Sequence, residues 1–222
     1  MSTWDILAID RSASMIENTE SIKRGFEELL IEQKNSKNRI TVIGFNTKVE
    51  VITDEYFPDV SDMSQEIIKV GGLTALLDAI GSAYELILNQ TENKNITLTV
   101  ITDGMENSSK LYTLDVLDNM KTLIDEDYKL TVVFIGADKN CIYNNPLSRH
   151  ANHSVNCESD LLDAMRTASN TMSSSRENLE YTPEGAVNIT EEDILFNEEN
   201  QPPPITREIT KSARVGKRLR IL

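Results

Sequence analysis

Short apolar runs alternate with amphipathic stretches over the first 174 residues, and three of the runs are apolar on both faces. A strand of that kind has to be covered on both sides, which calls for a mostly parallel sheet flanked by helices. The runs Trp4–Ile9, Arg39–Phe45, Ile96–Ile101 and Leu130–Ile135 read as buried strands, and Ser154–Cys157 as a weaker one. Lys48–Ile52, after the tight Asn46-Thr47 connection, forms a hairpin with the second strand and puts one antiparallel strand at an edge. Between them, helical spacing of apolar residues predicts helices at about 17–33, 74–88, 113–125 and 159–172. The expectation is a Rossmann-like, doubly wound α/β domain over residues 1–174. In such folds ligands bind outside the carboxyl ends of the strands, near the switch in strand order.

Beyond Ser173-Ser174-Ser175 the helical period is lost. Residues 175–222 run from an acidic stretch (Glu191, Glu192, Asp193, Glu198, Glu199) through Pro202-Pro203-Pro204 to a basic end. This segment is expected to be an extended or disordered tail, since proline-rich chain extends rather than packs. Ile189, Ile194, Leu195 and Phe196 could let it dock on a neighbouring surface.

Charge narrows the function classes. The chain carries −14, but its last sixteen residues carry +5, leaving −19 on the first 206. An acidic body argues against nucleic acid or an anionic membrane as the main partner, because phosphate binding needs a basic footprint. The tail has no aromatic residue after Phe196, so it could hold phosphates but not read bases. No run of about 18 apolar residues exists to span a bilayer. Met1–Asp10 lacks the basic start of a signal peptide, and two cysteines cannot make a disulfide scaffold. A cytoplasmic setting follows as the expectation: host cytoplasm, or a virion if the chain is phage-encoded.

The chemistry-bearing residues gather at predicted strand ends and loops. They are Asp10-Arg11-Ser12-Ala13-Ser14, Thr74 after Gly71-Gly72, and Asp103-Gly104. Parallel strands would bring Asp10 and Asp103 to one sheet edge, and the Gly-Gly loop could bring Thr74 there. Compact hydroxyls with a few carboxylates suit a hard divalent cation such as Mg²⁺. With few anionic ligands the ion stays electron-poor and favours an outside anionic oxygen. Taken singly, each motif would read as turn and cap residues.

Together these motifs resemble the von Willebrand factor type A domain and its metal-ion-dependent adhesion site. Asp-x-Ser-x-Ser, Gly-Gly-Leu-Thr-Ala-Leu-Leu-Asp-Ala-Ile and Thr-Asp-Gly occur in family order over roughly residues 2–174. Their context is similar to stand-alone bacterial and phage members. The resemblance implies Mg²⁺, or Mn²⁺ in its place, bound through the hydroxyls of Ser12, Ser14 and Thr74. Asp10 and Asp103 would act mainly through water, and a partner's Asp or Glu would complete the shell. Arg11 and Ala13 stand where glycines are often found. Arg11, Gly72 and Gly104 are the expected partner-facing rim, with Arg11 crowding it or pairing with the incoming carboxylate.

The implied function is a non-enzymatic, magnesium-dependent protein-interaction module. A tail of one copy reaching the metal of another is a further possibility for self-association. The contrasting reading is a structural or assembly protein of a phage particle or bacterial complex, with the tail as its docking element. Enzyme motifs fail: Gly-x-Gly-x-x-Gly does not follow the first strand, and Walker-type Gly-Lys-Ser/Thr and Gly-x-Ser-x-Gly are absent. Cys141, His150, His153 and Cys157 have zinc-ligand chemistry, but their spacing matches no zinc knuckle. Glu17 and Glu106, near the candidate site, read as solvated residues.

Overall fold

A computed structural model describes residues 3–33, 38–55, 60–90, 94–136, 146–156 and 161–176. Residues 177–222 of the expected tail and both cysteines, Cys141 and Cys157, therefore lie outside the described residues, while Ser175 and Arg176 belong to the last helix. The strands are β1 (Thr3–Asp10), β2 (Arg39–Phe45), β3 (Val49–Glu55), β4 (Asn95–Thr102), β5 (Lys129–Gly136) and β6 (His153–Asn156). The helices are α1 (Thr19–Gln33), α2 (Val60–Ile67), α3 (Leu76–Leu88), α4 (Leu114–Asp127) and α5 (Leu161–Arg176).

The six strands form one sheet in the order β3-β2-β1-β4-β5-β6. All neighbours are parallel except β2 and β3, the antiparallel edge pair expected from the hairpin. β1 is central, with β2 on one flank and β4 on the other, so the strand order reverses at β1.

The period of two along each strand builds two cores. Trp4, Ile6 and Ala8 of β1, with Leu98 and Val100 of β4, pack on Leu76, Ile80, Tyr84 and Ile87 of α3 and Leu117 of α4. Leu7 and Ile9, with Ile101, Val133 and Ile135, face Ile22, Phe26 and Leu29 of α1 and Met165 of α5. The one tryptophan is fully buried and donates its Nε1 proton to Thr41 Oγ1 at 2.7 Å. No described helix is long and apolar enough to cross a membrane.

Three elements depart from the sequence expectation. A 3-10 turn, Ala13–Asn18, precedes α1, so the α-helix starts at Thr19 rather than near Glu17. Buried Met15 anchors that turn. β3 runs on to Glu55. α2 was not anticipated; it has two turns, and a window that short carries little periodic signal.

The long connection from β4 to α4, residues 103–113, carries no regular secondary structure. Two carboxylates hold it against the start of α3. Asp78 accepts the backbone N–H groups of Lys110, Leu111 and Tyr112 at 2.8–3.1 Å. Glu106 accepts those of Leu77, Ser108 and Ser109 at 2.7–2.9 Å, and the Ser109 hydroxyl at 2.6 Å. Glu106 is thus a structural clamp, not the solvated residue expected. Replacing Asp78, which is 6% exposed, by Ala leaves three donors without their acceptor, the Tyr112 N–H in the core and those of Lys110 and Leu111 nearer the surface. The expected loss is about 3 kcal/mol, since each orphaned buried donor costs ~1–3 kcal/mol and the loop relaxes in part. Urea unfolding of Asp78→Ala against the wild type, with unchanged slope, measures it.

Candidate functional site

β1 and β4 end side by side at the strand-order switch, and their last residues hold each other. Asp10 is fully buried at the end of β1. Its Oδ2 accepts the Thr102 hydroxyl at 2.6 Å, and its Oδ1 accepts the Ser12 N–H at 2.7 Å. The second bond turns the chain sharply and places Ser12 and Ser14 on one side of the loop. Ser14 Oγ donates to Asp103 Oδ1 at 2.6 Å, and Ser12 Oγ lies 3.0 Å from Ser14 Oγ. Since the one hydroxyl proton of Ser14 goes to Asp103, Ser12 is the donor in that pair.

Thr74 enters from the third loop. Its backbone N–H donates to Asn107 Oδ1 at 2.8 Å, and its carbonyl accepts the Asn107 N–H at 3.0 Å. Gly72 reaches the first loop by accepting the Ala13 N–H at 3.1 Å, and Gly71 donates to the Arg11 carbonyl at 2.8 Å. Gly72 adopts φ +81°, and a Cβ there would meet Thr47 Oγ1 at 2.5 Å, so the close approach depends on glycine.

Gly104 locates the point of convergence. A Cβ on it would sit 2.9 Å from Thr74 Oγ1, 3.6 Å from Asp10 Oδ2 and 3.7 Å from Ser14 Oγ. Oxygens from three loops therefore surround a space that only the absence of a side chain keeps open. The structure brings together Asp10, Ser12, Ser14, Thr74 and Asp103 as the spacing suggested, with Gly104 as the floor of the space. Three neutral hydroxyls and two carboxylates fit a small, hard, oxygen-preferring dication. Among the described residues no three His, Cys, Asp or Glu side chains gather to hold a metal. The donor set here is instead rich in hydroxyls.

Arg11 departs from its expected place. It is 5% exposed and turns away from the rim, beneath β2. Its Nη2 donates to Glu50 Oε2 at 3.0 Å and to the Gly44 carbonyl at 3.4 Å, and its Nη1 to the Glu66 carbonyl at 3.2 Å. A guanidinium so engaged is not available to an incoming carboxylate. Of the zinc candidates, His150 is engaged far from these loops: its Nδ1 lies 3.2 Å from Tyr84 Oη and its Nε2 2.6 Å from Asp118 Oδ1.

Sequence reasoning missed Thr102, Asn107 and Asn18, whose Nδ2 lies 3.5 Å from Asp103 Oδ2. Thr102 was legible in the Thr-Asp-Gly triplet. The role of Asn107 depends on a backbone contact that sequence does not display.

No family model and no curated protein matches this chain. Solved structures do. The vWF domain of the type V pili tip protein Mfa5 from Porphyromonas gingivalis is 9% identical, with a TM-score of 0.58 over 81% of this chain and 97% of that one. Proximal thread matrix protein 1 from the mussel byssus is 16% identical, with a TM-score of 0.58 over 79% of this chain and 48% of that one. A mutant PilB minor pilin from Streptococcus sanguinis is 11% identical, with a TM-score of 0.56 over 80% and 62%. The chain thus spans less than two thirds of the mussel and pilin chains. At these identities the likeness establishes the fold: an α/β domain of the von Willebrand factor type A kind.

Burial pushes the Asp10 carboxyl up to about 6, with the Thr102 and Ser12 hydrogen bonds pulling it back and the Asp103 charge adding to the rise. The unfolded carboxyl titrates near 3.9. Between about pH 4 and 6 the folded state therefore holds a proton that the unfolded state has lost. The stability this proton contributes is complete below pH 4 and gone above pH 6. In metal-free buffer, the unfolding free energy of the wild type should fall by about 2–3 kcal/mol relative to Asp10→Asn across that window. Urea unfolding of both proteins at intervals from pH 4 to 7 checks the sign and the size.

Proposed function

We propose that this chain is a divalent-cation-dependent protein-interaction module, holding Mg²⁺ or Mn²⁺ among Asp10, Ser12, Ser14, Thr74 and Asp103. The observation that carries this reading is the convergence of Thr74 Oγ1, Asp10 Oδ2 and Ser14 Oγ on the space above Gly104. The bound ion supplies Lewis acidity toward an anionic oxygen. This chain's own residues do the remaining work. Ser12 and Ser14 would hold the ion through their hydroxyl oxygens, in place of part of the hydrogen bonding that now links them to each other and to Asp103. Asp10 stays ionised once a cation offsets its burial. Two carboxylates balance the ion's charge, and the neutral hydroxyls add none, so a partner's Asp or Glu is still attracted.

A binding role fits better than a catalytic one. The described histidines, His150 and His153, stand outside the three loops, and the carboxylates beside the hydroxyls, Asp10 and Asp103, are the two that this reading assigns to the cation. The likeness in fold to a pilus tip domain and a minor pilin agrees in kind with adhesion. The contrasting reading, an assembly protein that docks through its tail, predicts that partner capture survives loss of the metal site.

Isothermal titration with Mg²⁺ and Mn²⁺ tests the reading. Ser12→Ala/Ser14→Ala should weaken binding by at least about tenfold, as expected when oxygen donors to a metal are removed. Partner capture should vanish both in EDTA and in that variant. Capture that persists in both would assign the function to the tail.

A further inference from the structure

Arg11 separates Asp10 from Ser12 in the first loop, and it bonds outward through both its backbone and its side chain. Its N–H donates to the Phe45 carbonyl at 2.6 Å, just past the end of β1. Its carbonyl accepts the Gly71 N–H at 2.8 Å. Its Nη1 donates to the Glu66 carbonyl at 3.2 Å, in the last turn of α2, where a helix favours a cation. One residue thus joins the sheet to the first loop and grips residues 66–71 at both ends. That segment leads from α2 to Thr74. Ile68 and Val70 lay its start on the core beneath α1, but at Gly71 a Cβ would meet no heavy atom within 4 Å. From there to Thr74 the path is set by hydrogen bonds: Gly71 to Arg11, Ala13 to Gly72, and Leu73 to Thr47 Oγ1 at 2.9 Å. The first of these depends on where Arg11 sits.

Keeping a guanidinium in this slot is costly. The side chain is buried, its Nε has no acceptor among the described residues, and its carboxylate partner Glu50 is 60% exposed, where an ion pair contributes little. Gly44 must also stay without a side chain, since a Cβ there would come within 2.5 Å of Arg11 Cζ and Nε. An apolar residue of similar volume would fill such a slot with less desolvation. Stability alone therefore does not account for the arginine, whereas its grip on the approach to Thr74 does.

We propose that Arg11 is a positioning residue of the candidate cation site. Its guanidinium, seated on Glu50 and on the Gly44 and Glu66 carbonyls, fixes the Gly71-Gly72 turn against the first loop and so sets the Thr74 hydroxyl above Gly104, beside Asp10 and Ser14. This rests on the metal-dependent reading above, and it adds to that site a residue that touches neither cation nor partner.

A double-mutant cycle on the full-length chain, read by isothermal titration with Mg²⁺, tests it. Arg11→Met should weaken Mg²⁺ binding about tenfold, as loss of a group behind the ligands does. Gly44→Ala, which crowds the guanidinium from another strand and alters no ligand, should also weaken it. Thr74→Ala removes the hydroxyl that Arg11 positions, so adding Arg11→Met to Thr74→Ala should cost no more than about two- to threefold further. An arginine that only stabilises the fold would give additive losses instead. Circular dichroism checks that each variant is folded; if Arg11→Met is not, Gly44→Ala, alone and with Thr74→Ala, completes the same cycle. Binding left unchanged by both Arg11→Met and Gly44→Ala, or losses that add in full to that of Thr74→Ala, would overturn the positioning role and leave the metal reading intact. No Mg²⁺ binding by the wild type would overturn the metal reading itself.

Discussion

A fully buried carboxylate at the end of the central strand sets the terms for everything around it. Asp10 has no exposure, and its pKa, raised to about 6, records the cost of keeping it out of water. Two partners offset part of that cost: the Thr102 hydroxyl from the end of β4 and the Ser12 N–H from the turn. Both depend on the parallel pairing of β1 with β4, which sets Ile9 beside Ile101 and brings the following residues level. A slip of one residue in that register would turn Thr102 to the other face of the sheet. The sheet's register, and not any single loop, therefore decides whether an oxygen cluster forms at all.

The loops around Asp10 are irregular but not loose. Their backbone groups find partners in side chains where helix or sheet is absent, as buried polar groups must. Glu106 and Asp78 tie residues 106–112 to the start of α3, and Asn107 fixes Thr74 through both its side chain and its backbone. The Gly71-Gly72 turn closes the third side through Arg11 and Ala13. Each hydroxyl is thus placed by contacts other than its own. The hydroxyls themselves bond mainly to one another and to Asp103, contacts that a cation could exchange without unfolding the frame.

The fold was legible because strand period and helix period are both strong where elements are buried on their inner faces. Trp4, Ile6 and Ala8 alternate with Leu7 and Ile9 as a two-faced strand requires. The five oxygen-bearing residues were legible because small polar side chains at strand ends are what a parallel sheet gathers at one edge. Arg11 was misread as part of the rim for a physical reason. Sequence places it beside Asp10, but its side chain passes under β2 into room left by Gly44, where a Cβ would come within 2.5 Å of its Cζ. That vacancy belongs to another strand, 33 residues away, and local patterning does not reveal it. Glu106 was misread likewise: its partners are backbone groups of its own loop and of α3, which only the folded path brings near.

The displacement of Arg11 has an electrostatic consequence. Had its guanidinium turned to the site, it would have neutralised the facing carboxylates, much as a bound cation would. Instead Glu50, itself exposed on the edge strand, takes that charge. Asp10 and Asp103 are left facing each other, and the Asp103 charge adds to the difficulty of ionising Asp10. Like charges held together in partial burial are stabilised by protonation or by a mobile cation. Near neutral pH, above the Asp10 value of about 6, protonation no longer serves. On the proposed metal-dependent reading, diverting the arginine leaves room for a small dication where a resident side chain would otherwise have balanced the charge. The same diversion takes the guanidinium of Arg11 away from this edge, so on the proposed reading attraction of an acidic residue falls to the cation.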